Sequence, residues 1–322
     1  MLVKELKDVI SKYRKEEKDK IIIELYKRIP KSKKEDYDID NYILNIKQKE
    51  KINKKDEKLS FEVLEKEVNF FLECANNDLY ASSNSIVSKT ERSKWRFKVK
   101  NFCKQLNSFP PDSKEGEKAT DLLRDLFILL SHATHYLTFS NWETFRAIQI
   151  SQSSFLGMII KRKLQTGVTK ENLKYCVKLL HVKFDPYSYH LDLLCEFISC
   201  LKTVDMEYMA IELLKDEVSE MLEKLKKLQK GETKYYRLSE HCNYFIECIF
   251  IIYSKLYEVE LGIKYFQKFY IEKDPEVKEY ILLDLIESFA TISDWLREYE
   301  RNINKIDYRE SLQEKYESLK NA

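Results

Sequence analysis

Residues 116–139 read GEKATDLLRDLFILLSHATHYLTF. The stretch has one glycine, at its first position, and no proline, and it reads as a single strongly apolar helix. Working outward, the same scarcity holds along the chain: five glycines and five prolines occur in 322 residues. Glycine supplies positive φ in tight turns and proline interrupts helices and strands. A sheet-rich or phosphate-loop protein of this length needs many more of both. The fold expected is all-α, built of antiparallel helix pairs stacked as an irregular, repeat-like array.

Composition bounds the rest. The chain is 43% hydrophobic and 34% charged, enough apolar matter for a core with wide solvated helix faces around it. At this length two domains or an extended array are expected rather than one core. The net charge of +2 sets no global preference for nucleic acid or membrane. The most apolar run, Cys248 to Tyr253, is far short of the ~20 residues that span a bilayer. Seven scattered cysteines without a CxxC pair read as reduced, mostly buried thiols, and with charges at Lys4, Glu5, Lys7 and Asp8 no secretory leader is expected. A cytoplasmic location is expected.

Three regions follow. Residues 1–46 read as an N-terminal helical hairpin module. Leu2, Leu6, Val9, Ile10 and Tyr13 form one stripe, a turn falls in the charged run Arg14 to Lys20, and Ile21, Ile22, Leu25, Tyr26 and Ile29 form a second stripe, stopped by Pro30. A basic tail (Lys31, Lys33, Lys34) runs into Glu35, Asp36, Asp38 and Asp40. A short helix at Ile39–Ile46 follows, with Tyr37, Ile39, Tyr42 and Ile43 as its larger side chains. Residues 47–58 (KQKEKINKKDEK) are a charged linker. Residues 59–322 form the repeat-like domain. In it, helices are expected from Ser60 to about Tyr80, from Ser93 to Leu106, and from Ser153 or Ser154 to Leu164, the last closed by Gly167. Asn141 is expected to cap a helix at Trp142. N-caps are expected at Thr169, Asp185, Asp205, Ser239, Asp274 and Asp307. The fragment Leu261-Gly262-x-x-Tyr265, with Phe289 and Ala290 downstream, resembles the Leu-Gly-x-x-Tyr spacing of a tetratricopeptide repeat. It lacks a tryptophan at the repeat's first position and has no second copy.

The densest one-sign patch is Ser88 to Lys104, where Lys89, Arg92, Lys94, Arg96, Lys98, Lys100 and Lys104 face one anion, Glu91. On a helix, Trp95, Val99, Phe102 and Leu106 line the apolar side, and Arg92, Arg96 and Lys100 follow at four-residue steps beside it. Such a row suits a phosphate backbone or an acidic partner. It equally suits cations that cover the apolar stripe with their stems and pair with carboxylates of adjoining helices. Phe97 lies off the stripe and is the ring expected to be exposed. Nucleic-acid binding would also leave Trp95 partly exposed, and a structural role would bury it.

Catalytic signatures are sparse. His132 and His135 share a helix face and are weak metal candidates, because zinc needs further ligands; His181, His190, Cys195 and Cys200 would have to supply them. Paired histidines hydrogen-bonded beside Tyr136 or Ser131 are the simpler expectation. His241 and Cys242 are adjacent and cannot readily act as a nucleophile–base pair. Neither a GxSxG elbow nor a Walker loop, dinucleotide turn or HExxH helix occurs. The Arg–His spacing of the all-helical HEPN-type ribonucleases is absent too: Arg237-x-x-x-His241 is too short and Arg124…His132 too long. The expected function is a non-enzymatic scaffold or adaptor for a partner protein or acidic surface, with no cofactor and no membrane. The alternative is nucleic-acid binding through residues 89–104. A helical metal-dependent or ribonuclease-type enzyme comes last.

Overall fold

The computed structural model describes residues 6, 9–30, 33–34, 39–44, 60–139 and 141–321. Among them are fifteen α-helices, one 3₁₀ turn and no strand. The chain divides into two units, Met1–Leu59 and Ser60–Ala322. The linker 47–58 lies outside the described residues, as do Leu2, Lys31, Glu35, Asp36, Tyr37, Asp38, Ile46 and the Tyr42 side chain.

In the first unit, α1 (Lys15–Arg28) and α2 (Ile39–Leu44) are joined by the Tyr26 hydroxyl, which donates to Asp40 Oδ1 at 2.5 Å. The turn expected within Arg14–Lys20 falls at its start. The Arg14 N–H donates to Glu17 Oε2 at 2.7 Å, and a carboxylate in that first turn suits the positive end of the helix dipole. No α1 residue is buried, and Ile22, Ile23 and Leu25 stand exposed.

The second unit begins with α3 (Phe61–Asn76), α4 (Lys89–Asn107) and α5 (Lys114–Ala133). Then come α6 (Thr144–Ile148), α7 (Gln152–Gln165), α8 (Lys170–Lys178) and α9 (Asp192–Cys200). Next are α10 (Val204–Leu225), α11 (Thr233–Lys255) and α12 (Val259–Phe269). The last three are α13 (Pro275–Phe289), α14 (Ile292–Asn302) and α15 (Glu310–Lys320). α5 is the hub of the first half, with α3, α4, α6 and α7 packed on it. α7 carries α8 and α9, and α8 leads to α10. α11 then takes α10, α12 and α13, and α13, α14 and α15 follow in series. Successive helices begin at residues 204, 233, 259, 275, 292 and 310, so no constant interval recurs.

Side-chain chemistry explains where helices start and stop. Thr169 and Asp274 are N-caps as expected, accepting from the N–H groups of Asn172 and Glu276. Ser88 replaces Ser93 as the start of α4 through a reciprocal box with Glu91, and Ser151 replaces Ser153 or Ser154 for α7. Thr203 caps α10 in place of Asp205. Asn141 Oδ1 accepts from the Glu143 N–H, so the short helix begins at Thr144. Ser239 lies inside α11, where its hydroxyl bonds back to the Tyr235 carbonyl at 3.0 Å. Asp185 is buried and holds a turn by accepting from the Tyr187 N–H. Asp307 precedes α15 by three residues. Gly167 closes the stretch after α7 with φ +130°, a conformation side-chained residues avoid.

The opening stretch is cut short as well. α5 ends at Ala133, six residues before Phe139, because the Thr134 hydroxyl donates to the Ser131 carbonyl at 2.8 Å and competes with the helical ladder. The chain turns and stacks Phe139 on Trp95, ring centroids 4.1 Å apart and 10° from parallel. Phe71, Tyr80 and Phe102 complete this aromatic core. Gly262, the glycine of the tetratricopeptide-like fragment, lets α12 approach α11: a Cβ there would meet the Phe250 ring at 3.1 Å.

A buried arginine ties three helices together. Arg162 of α7 donates to the Thr120 hydroxyl and to the carbonyls of Asn107, Phe109 and Gly116. It supplies partners to the Asn107 and Phe109 carbonyls at and just beyond the end of α4, where carbonyls lack intrahelical donors, and adds a further bond to the Gly116 carbonyl in the first turn of α5.

Candidate functional site

α4 buries Trp95, Val99, Phe102, Cys103 and Leu106 against α5 and α6, which leaves the rest of its circumference to charge. Trp95 is 2% exposed and Phe97 57% exposed. Trp95 is therefore core, and Phe97 is the outward ring. The Arg96 guanidinium lies over Phe97, 4.9 Å from the ring centroid.

The cations of this helix divide into two groups. Arg92 is structural: it donates to the Val87 carbonyl at 2.6 Å and the Ser83 hydroxyl at 3.4 Å, pinning the loop that precedes α4. Lys100 donates to Gln149 Oε1 at 2.6 Å, and the Lys98 ammonium lies over the Phe102 ring, 5.8 Å from its centroid. Lys89, Lys94 and Arg96 are exposed, and no carboxylate among the described residues lies within 4 Å of them. Glu91 is spent on the cap of its own helix. At 100° per residue, Lys89, Arg96 and Lys100 lie on one side of Phe97 and Lys94 on the other, with Lys104 next to the ring. The result is an exposed aromatic flanked by cations.

The histidines do not converge on a metal. His132 stacks on Tyr136 at 4.1 Å, and His135 donates from Nε2 to the Phe184 carbonyl at 2.8 Å. Ser131 accepts from Gln152, and neither histidine is hydrogen-bonded to it. His190 faces Glu247 at 3.8 Å, while burial pushes the His190 imidazole down and the Glu247 carboxyl up to about 7. Among the described residues, no group of three or more His, Cys, Asp or Glu side chains could hold a metal. All seven cysteines are free, and Cys195 alone among them is exposed. Burial raises the Cys242 thiol to about 12, far from a reactive thiolate.

One polar chain has no signature in the sequence. Glu217 of α10 accepts from His181 Nε2 at 3.0 Å, and His181 Nδ1 lies 2.8 Å from His241 Nε2 of α11. With His181 donating to the carboxylate, its Nδ1 accepts from the His241 N–H. Burial, then the neighbouring His181, pushes the His241 imidazole down to about 4. The three residues are far apart in sequence and share no helical period, so only the packing of α10 on α11 reveals them.

No protein-family model, curated protein or solved structure matches the chain. Among the described residues, no helix is long and apolar enough to cross a membrane.

Proposed function

We propose that this chain is a non-catalytic helical adaptor that docks an acidic surface of a partner protein through α4. The reading rests on one observation: Lys89, Lys94 and Arg96 are exposed and carry no carboxylate partner among the described residues, on a helix anchored by a buried tryptophan. Cations without internal partners keep their full attraction for an external anionic surface, and a rigid helix presents them in fixed register. The stacked helices of the second unit act as the scaffold, and seven free thiols fit a reducing, cytoplasmic setting.

Nucleic acid is the second reading, favoured by Phe97. An exposed ring beneath a guanidinium is a platform for an unpaired base, flanked by cations for its phosphates. Fluorescence anisotropy separates the two, with a labelled polyglutamate peptide and labelled single-stranded RNA titrated across a salt series. The adaptor reading expects peptide binding that weakens with salt and is lost in the Lys89→Glu/Lys94→Glu/Arg96→Glu variant. RNA binding that also falls with Phe97→Ala would replace it with the second reading. Arg92 is left intact in these variants because it holds the fold.

A further inference from the structure

A second basic site lies away from α4. Beyond the end of α5, Lys183 and Arg237 open onto a concave pocket of about 400 Å³ between the segment 182–186 and α11. That volume falls within the range of small-ligand sites. Lys183 donates to the Tyr136 hydroxyl at 2.9 Å and lies over that ring, 4.0 Å from its centroid. Among the described residues neither Lys183 nor Arg237 has a carboxylate within 4 Å. Among the described residues, Glu240 is the one acidic side chain on the pocket wall. Two cations from different elements therefore share one concavity with a single carboxylate. Val182, Phe184 and Pro186 give it an apolar wall. His135 and His241 also line it, fixed by their bonds to Phe184 and His181.

We propose that this pocket binds a small organic phosphate monoester, its phosphate held between Lys183 and Arg237 and its organic part against Phe184 and Pro186. A phosphate monoester carries nearly two negative charges near neutral pH and enough oxygens to accept from a guanidinium and an ammonium together. The local field agrees. Lys183, through its hydrogen bond and charge, and then Arg237 hold the Tyr136 phenol below its ordinary range. Burial, followed by Lys183, holds the His132 imidazole down. The Tyr136 shift reflects the combined positive charge of Lys183 and Arg237, whereas that of His132 is set first by burial.

The test uses the full chain and three probes: adenosine 5′-monophosphate and adenosine by calorimetry, and inorganic phosphate by broadening of its ³¹P resonance. Acetate serves as the carboxylate control. The expected result is binding of the monophosphate and of phosphate, with no binding of adenosine or acetate. Arg237→Met, an exposed position, should weaken the monophosphate about tenfold, ~1.4 kcal/mol, with the melting temperature unchanged. Lys183→Met should do the same, and the α4 charge-reversal variant should leave this binding intact. Absence of phosphate and monophosphate binding at millimolar concentration overturns the proposal. So does equal binding of adenosine or acetate, or monophosphate binding unaffected by both single variants.

Discussion

α4 and α14 are built alike and used differently. Each is anchored by a buried tryptophan stacked on an aromatic neighbour, Trp95 on Phe139 and Trp295 on Tyr299. Each turns cations outward. On α14, Arg297 pairs with Asp294 at 2.5 Å and with Glu260 at 3.1 Å. Arg301 pairs with Glu298 at 2.6 Å and with Glu260 at 2.8 Å. On α4, Lys89, Lys94 and Arg96 meet no carboxylate among the described residues. The difference comes from the helices beneath. α12 offers Glu260 and α13 offers Glu279 next to α14, while α5 and α6 meet α4 through an apolar seam. A dense run of cations is thus left without internal partners only where the neighbours withhold their carboxylates.

The largest effects should be equal on the two helices. Trp95→Ala and Trp295→Ala should each destabilise by roughly 3–5 kcal/mol in urea unfolding, the cost of deleting a large buried ring. A tolerated change at either would break the likeness between them. The next effect should separate them. Arg301→Met strips Glu298, 1% exposed, of its cation, leaving it hydrogen-bonded to Asn302. Because Arg301 is itself partly exposed, the expected cost is about 1–3 kcal/mol. Lys94→Met, on the same measurement, should stay within about 0.5 kcal/mol.

The smallest effect is a dependence on pH. Burial, reinforced by Glu298, pushes the Glu279 carboxyl up to about 7. A raised acid binds its proton more tightly in the folded state than in the unfolded chain. Its stabilisation is therefore full below the ordinary carboxylate range and is lost as pH rises through the folded value. The melting temperature should accordingly fall as pH rises from about 4.5 to about 7 and level off above that. Glu279→Gln should flatten part of that slope, and the α4 charge-reversal variant should leave it unchanged. An unaltered slope in Glu279→Gln would place the titrating group elsewhere, with Glu247, also raised to about 7, the next to replace.

The fold class was legible because helices need few special residues. Scarce glycine and proline, with caps such as Thr169 and Asp274, mark the helices before any contact is known. Where a polar side chain had two uses, sequence alone misplaced it. Ser239 resembles a cap yet bonds back within α11, and Thr134 ends a helix in the middle of an apolar run. The basic helix was legible as a run of charge, and the exposure of Phe97 followed from its angle. The separate fate of each cation depends on what it meets in space: Arg92 folds back to Val87, Arg96 lies over the adjacent Phe97, and Lys100 reaches the distant Gln149. The Glu217–His181–His241 chain and the Lys183–Arg237 pocket had no local pattern to read, because α11 meets both only through tertiary packing.

Arg162 has a consequence for how the second unit comes apart. Its hydrogen bonds reach back 55, 53, 46 and 42 residues, to Asn107, Phe109, Gly116 and Thr120. If α7 leaves its place, a guanidinium is withdrawn from carbonyls that water must then reach, so the junction of α4 and α5 opens in the same event. Amide hydrogens on either side of that junction should therefore exchange with those of α7 as one cooperative unit. The long interval between the partners makes this cluster a late, non-local closure in folding rather than an early one.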